Sequence, residues 1–447
     1  MKPKKSHIHF RLTFLFLNMI VISLFYFSCK KDQPAPGIVL PNHSAIDSTI
    51  NFFVQNGSYP FLYARLENKN GSVIYEHSAV NSNILGDQKI DGDSWVRIWS
   101  MSKIITISVV LDLIEEGILK FNDPVSKFIP EFKNLEVAVT TEGKPITDFS
   151  SKDLDKVCPL KFVPNDSVMT ILHLLNHKAG FYYAVTGYEC LDSMLAEQNV
   201  PTSINTQEMI DRMAKLPLIH HSGSGYFYGT NTTVLGFVAE RATKKSLKEL
   251  VAERVTEPMN IKGLQYGLPT QAKLPPTVSG KDSILRMAHA GELDIFGPNV
   301  PDYKPDHELF LGGEGMVATA DGYTDFIRML LNRGELNGHR LLEESTIEDL
   351  HSPHTFIDNK YGHNGYNLWV SGDSMRLKGI GDAGLWIGGG YEGTHFWVDP
   401  KREFVGVIMT QMFGVPRRGQ GRDDKIRGEI YRQLFALEKN KSPEILN

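Results

Sequence analysis

Ser100 and Lys103 stand three residues apart in the run Ser100-Met101-Ser102-Lys103. On a helix that spacing puts both side chains on one face, within reach of each other. A serine hydroxyl is a poor nucleophile until a base takes its proton, and a desolvated lysine of lowered pKa is one such base. The first turn of a helix also offers free backbone N–H groups, so the Ser100 amide can help to hold an oxyanion. The chemistry would be acyl transfer through a covalent serine intermediate. Spacing alone is weak support, because Ser28 and Lys31 repeat it beside an apolar leader.

The element that must carry the pair is a helix beginning near Ser100. Ile104, Ile107, Leu111 and Ile114 fall on one face, and Ile105, Val109, Val110 and Leu113 fill much of the rest. Glu115-Glu116-Gly117 supplies its stop. A helix apolar nearly all round is buried, yet a lysine at its head is costly there without partners. Such a conflict between polarity and burial marks a functional site.

The rest of the chain supplies a scaffold of mixed type. Its 447 residues, 41% of them hydrophobic, suffice for a large buried core. Residues 45–55 are helix-like; residues 60–66 and 72–75 read as strands around the turn signal Asn70-Gly71. Three further strand-like runs cover 366–370, 394–398 and 404–409, and an amphipathic helix covers about 424–438. The sheet is thus made from both chain ends. Between them, residues 170–175, 209–215, 233–242 and 247–255 read as helices. The expected fold class is α/β (α+β), an antiparallel sheet flanked by helices with a mostly helical subdomain. Its sheet part spans about 45–100 and 285–440, its helical part about 101–284.

Around Ser100, the run Val96-Arg97-Ile98-Trp99-Ser100-Met101-Ser102-Lys103, with Leu111 to Gly117 and Asp123-Pro124-Val125 after it, resembles the serine β-lactamase, DD-peptidase and esterase family. The resemblance continues through 171–180, Pro258-Met259-Asn260-Ile261 and Gly312-Gly313-Glu314-Gly315-Met316-Val317 to Leu342. It implies a β-lactamase/transpeptidase-like fold and a second motif, Tyr-x-Asn or a relaxed form of it. Tyr226-Phe227-Tyr228-Gly229-Thr230-Asn231 supplies that motif. Tyr228 is then the proton shuttle, its pKa lowered by Lys103, with Thr230 in place of the Asn and Tyr226 as the competing assignment. A third motif, Lys-Thr-Gly or a variant of it, falls on Gly388-Gly389-Gly390, with Tyr391 donating the second oxyanion N–H. Gly388 stands where such enzymes carry a basic or aromatic residue, which argues against penicillins and acyl-D-Ala-D-Ala as preferred substrates. Trp386 and His395 are the nearest substitutes and are more simply packing residues.

The implied activity is that of an esterase or amidase on a small acyl substrate, with no metal or organic cofactor. The alternatives are a DD-peptidase or β-lactamase, and a non-catalytic homologue that binds cell-wall fragments. No Gly-x-Ser-x-Gly elbow occurs. His220-His221 and the pair His351 and His354 lack the His-Glu-x-x-His pattern of a zinc hydrolase. His177 reads as a hydrogen-bonded loop residue. A net charge of −5 without a basic cluster in the body of the chain excludes a nucleic-acid footprint.

Lys2, Lys4, Lys5 and Arg11 precede an apolar stretch to Phe27, then Ser28-Cys29. Residues 1–28 are expected to be an export signal, with a single membrane anchor as the alternative. Cys29 resembles the lipidated cysteine of bacterial lipoproteins, and residues 29–44 read as a tether. A periplasmic or outer-membrane lipoprotein, held to the membrane through Cys29, follows. Cys158 and Cys190 then remain, either paired or as two separate thiols.

Overall fold

The computed structural model describes residues 43–435 apart from 149–151, 154–156, 184, 290–291, 294–302 and 304–307. Cys29, the export segment and nearly all of the tether lie outside the described residues. Helix α1 (Ser44–Gln55) leads into strands β1 (Phe61–Asn68) and β2 (Val73–Val80), paired across the Asn70-Gly71 turn. A short strand, β3 (Val96–Arg97), then delivers the chain to helix α2 (Ser102–Glu115).

The middle of the chain is mostly helical. It holds α3 (Ile171–Leu175), α4 (Glu189–Gln198), α5 (Thr206–Met213), α6 (Asn231–Thr243) and α7 (Leu247–Val251). Two features of this region had no sequence counterpart. Strands β4 (Glu136–Thr140) and β5 (Leu160–Pro164) form an antiparallel hairpin within it. The helix expected over 247–255 widens after Val251 into a π turn, Ala252–Thr256. Cys158 and Cys190 are bonded, with Cα atoms 6.0 Å apart, which joins the approach to β5 to the start of α4.

After β6 (Leu264–Tyr266) and β7 (Met316–Ala318) come helix α8 (Ala320–Leu331) and the remaining strands of the main sheet. These are β8 (Thr355–Asp358), β9 (Gly362–Asn364), β10 (Trp369–Ser371), β11 (Trp386–Gly389), β12 (His395–Asp399) and β13 (Phe404–Met409). Helix α9 (Arg422–Phe435) follows. The main sheet is antiparallel, in the order β8-β9-β10-β11-β12-β13-β1-β2. The two chain ends therefore pair within one sheet, one strand in from its β2 edge, with Tyr63 opposite Met409.

Central strands are apolar on both faces because both faces are covered. Leu62, Ala64 and Leu66 of β1, with Phe404 and Ile408 of β13, pack against Ile46, Ile50 and Phe53 of α1 and Ile426 and Ile430 of α9. The alternate residues Phe61, Tyr63, Val405, Val407 and Met409 join α8 and the helical region in the larger core. Helix α2 runs through that core: its residues 102–111 are all buried. Gly117, at φ +75°, terminates it as the sequence indicates. Among the described residues no helix is long and apolar enough to cross a membrane.

Candidate active site

Ser100 sits on a single 3-10 turn, Trp99–Met101, that feeds directly into α2. A small sheet fixes this entry: β7 pairs with β3 on one side and β6 on the other. The Ser102 hydroxyl accepts from the Met316 amide at 3.2 Å, and Tyr323 of α8 donates to the Met101 carbonyl at 3.1 Å. Trp99 holds a φ of +46°, a conformation costly for a bulky side chain and persistent only where the surroundings impose it. Its indole donates to Glu392 at 2.7 Å, and Arg97 grips the same buried carboxylate at 2.5 and 2.9 Å.

Two side chains converge on the Ser100 Oγ. Tyr228 OH donates to it at 2.8 Å, and Lys103 Nζ lies 3.2 Å away. Tyr228 comes from the loop that enters α6; its ring stacks on the buried His177 at 4.9 Å and lies 5.1 Å from Lys103 Nζ. Tyr226 packs instead edge-on against Phe356 of β8 at 4.4 Å. Between the two tyrosines left open by the sequence, the structure brings Tyr228 to the serine.

Lys103 is fully buried, and its other neighbours are Tyr183 OH at 2.9 Å, the Gly313 carbonyl at 2.9 Å and Glu314 Oε1 at 3.2 Å. Tyr183 also donates to Glu314 Oε1, and Thr233 of α6 donates to Oε2 at 2.6 Å. This corrects one expectation. Burial does push the Lys103 ammonium down, but Tyr228 and Glu314 raise it by more, so its pKa stands above its ordinary value. Lys103 is a held cation, not a lysine neutralised by desolvation. Burial and the Lys103 charge push His177 down to about 3, so it is neutral.

Thr230, expected among the substrate-binding groups, is buried and faces the Tyr182 carbonyl at 3.5 Å. With Phe181, Leu195 and Met209 it lines a small apolar cavity in the helical region. The adjacent Asn231 contacts His177 Nδ1 at 3.2 Å and the Phe181 carbonyl at 3.3 Å, which ties the Tyr228 loop to the loop after α3.

The three glycines at 388–390 end β11 alongside the Ser100 turn. A Cβ at Gly390 would lie 2.5 Å from the Ile98 carbonyl, so only glycine lets the strand come this close to the nucleophile turn. At Gly388 a Cβ would lie 2.4 Å from the buried Phe396 ring. The next residue, Tyr391, sets its ring edge-on against Trp99 at 5.6 Å. Trp386 stacks on His351, and His395 is half-buried against Arg427 at 3.1 Å, so both are packing residues. Among the described residues, no three His, Cys, Asp or Glu side chains gather as metal ligands.

Glu314 and Tyr183 escaped the sequence reading as chemical groups. The one available signal was an acidic residue between glycines in an otherwise apolar stretch, Leu309-Phe310-Leu311-Gly312-Gly313-Glu314-Gly315-Met316-Val317.

A buried helix opening on a serine, with an antiparallel strand drawn up beside it, is the framework of the β-lactamase-related serine hydrolases. The chain belongs to the Beta-lactamase family, whose model matches residues 66–429. An uncharacterized protein of Mycobacterium tuberculosis is 28% identical over 350 residues, which cover 74% of this chain and 82% of the relative. The lovastatin esterase of Penicillium rubens is 22% identical over 433 residues, 88% of this chain and 99% of that enzyme. Among solved structures, EstCE1, described as a hydrolase with promiscuous acyltransferase activity, superposes with a TM-score of 0.67 at 18% identity, over 87% of this chain and 98% of its own.

Proposed function

We propose that the protein is a serine hydrolase working through a Ser100 acyl-enzyme, an esterase or amidase acting on a small, uncharged acyl substrate. The observation that carries this reading is the convergence of Tyr228 OH and Lys103 Nζ on one hydroxyl, at 2.8 and 3.2 Å. The Ser100 proton passes to Tyr228, whose oxygen touches Oγ beside the Lys103 cation, while Oγ bonds to the acyl carbonyl carbon. The tetrahedral oxyanion is held by the N–H groups of Ser100 and Tyr391. As the carbonyl re-forms, the bond to the leaving group breaks and Tyr228 returns the proton to it. Water then repeats the sequence on the ester, with Ser100 as leaving group.

The substrate reading rests on Gly388. Phe396 occupies the space beside it, so that position offers no cation for a substrate carboxylate. Tyr226 and Phe356 add aromatic surface beside the Tyr228 loop. A second reading, transfer of the acyl group to an alcohol in place of water, is favoured by the promiscuous acyltransferase activity ascribed to EstCE1. The reading includes export and attachment to the membrane through a lipid on Cys29.

A fluorophosphonate probe tests the nucleophile: wild type is expected to label and Ser100→Ala to stay unlabelled, and equal labelling of the two would overturn the assignment. Turnover of a short-chain nitrophenyl ester is expected to exceed that of a chromogenic cephalosporin. The reverse preference would favour a β-lactamase.

A further inference from the structure

We infer that Glu314 is a positioning residue of this site: its buried carboxylate fixes Lys103 as an ammonium ion aimed at Ser100, which leaves Tyr228 as the proton carrier. The inference rests on the acyl-enzyme reading above and adds a residue to it. Both side chains of the pair are fully buried. Four oxygens surround Lys103 Nζ within 3.2 Å, the Gly313 carbonyl, Tyr183 OH, Glu314 Oε1 and Ser100 Oγ, enough acceptors for all three protons of an ammonium ion. A neutral amine would leave one of these acceptors without a proton and Glu314 without a counter-charge.

The carboxylate itself is fully engaged. Oε1 takes Lys103 and Tyr183, and Oε2 takes Thr233. Its backbone turn is shaped for the contact, since a Cβ at Gly313 would lie 3.1 Å from Lys103 Nζ and 3.0 Å from Thr233 Oγ1. A buried ion pair is a poor stabilising device, because well-packed apolar residues do as well or better. Its presence one hydrogen bond from the nucleophile is accounted for by what it does to the lysine. Among the described residues, the titratable groups packed around the pair are Tyr183, Tyr228, Tyr266, Tyr303 and His177. Burial holds Tyr183, Tyr266 and Tyr303 far above their ordinary range, and His177 is neutral. Within this group Glu314 is the buried carboxylate that, with Tyr228, keeps Lys103 protonated.

The test is the pH profile of kcat/KM for ester hydrolysis in Glu314→Gln, which keeps the shape and removes the charge. Wild type is expected to show no loss between pH 7 and 9.5. Glu314→Gln is expected to lose at least tenfold over that range as Lys103 deprotonates, and Glu314→Asp, with its charge drawn back by one methylene, is expected to lose an intermediate amount. A Glu314→Gln profile parallel to wild type would overturn the inference. Should Glu314→Gln fail to fold, Glu314→Asp carries the decision, and a profile superimposed on wild type overturns it. Ser100→Ala, assayed alongside, separates the two levels: full turnover by Ser100→Ala removes the acyl-enzyme reading, whereas a silent Ser100→Ala with parallel Glu314 profiles removes only the role of Glu314.

Discussion

The indole nitrogen of Trp99 and the carboxylate of Glu392 are 2.7 Å apart, and this bond links the residue before Ser100 to the residue after Tyr391. The two amides assigned to the oxyanion therefore belong to one rigid unit, with Arg97 as the counter-charge. Trp99→Phe removes the donor and leaves the Arg97 pair intact. Its expected cost is about 1.5–3 kcal/mol of stability, the range for a hydrogen bond to a charged group. The expected kcat falls by about tenfold or more, since small displacements of catalytic groups are expensive. Steady-state kinetics with a thermal melt check this; a lowered Tm with unchanged kcat would reduce the bond to a structural role.

Tyr228→Phe keeps the ring on His177 and removes the hydroxyl that reaches Ser100. Because the side chain is 39% exposed, stability is expected to stay within about 0.5 kcal/mol, as at most surface sites. Hydrolysis is expected to fall by about 10²–10⁴, the usual contribution of a positioned acid-base group. Retention of more than a tenth of wild-type kcat would shift the proton transfer to another group.

The closeness of Ser100 and Lys103 was legible in sequence because helix α2 is apolar nearly all round and its head is not. The sheet was legible because Phe404-Val405-Gly406-Val407-Ile408-Met409 and Pro60-Phe61-Leu62-Tyr63-Ala64 are continuous apolar runs with clear turns. The charge state of Lys103 was not. It depends on Glu314, which lies 211 residues away, and no local pattern announces a contact made by folding alone. The β4–β5 hairpin was hidden for a related reason: its second strand, Leu160-Lys161-Phe162-Val163-Pro164, is largely exposed and lacks a clean buried face. The glycines at 388–390 read as a degraded motif, whereas their physical reasons are Phe396 and the Ile98 carbonyl.

Two histidines, His177 buried and His395 half-buried, give a prediction for acid stability. Burial and the Lys103 charge push His177 down to about 3, and burial, reinforced by Arg427 and Arg422 against the opposing Asp423, brings His395 to about 4. Unfolded, both would titrate near 6.5. Below that pH the unfolded chain binds protons that the folded one refuses, so their stability contribution is present above pH 6.5 and is lost as pH falls. By pH 5 the loss is about 2 kcal/mol per histidine. Urea midpoints between pH 7.5 and 5 are expected to fall accordingly, with His395→Gln giving about half the wild-type slope. An unchanged slope in that variant would exclude His395 as a contributor.

Restoring a cation at the third motif tests whether Gly388 alone sets the substrate preference. A side chain there must displace Phe396, whose ring is buried and would lie 2.4 Å from the new Cβ. Gly388→Lys is therefore expected to destabilise the protein by about 1–3 kcal/mol, the usual cost of overpacking a filled core. It is not expected to create cephalosporin turnover. Pairing it with Phe396→Ala supplies the missing space, and the double variant is expected to be destabilised by less than the sum of the two single variants. Thermal melts and cephalosporin assays on the two single variants and the double variant check the argument. Additive destabilisation would mean that the ring is not what excludes a side chain at position 388, since residues competing for one space couple rather than add.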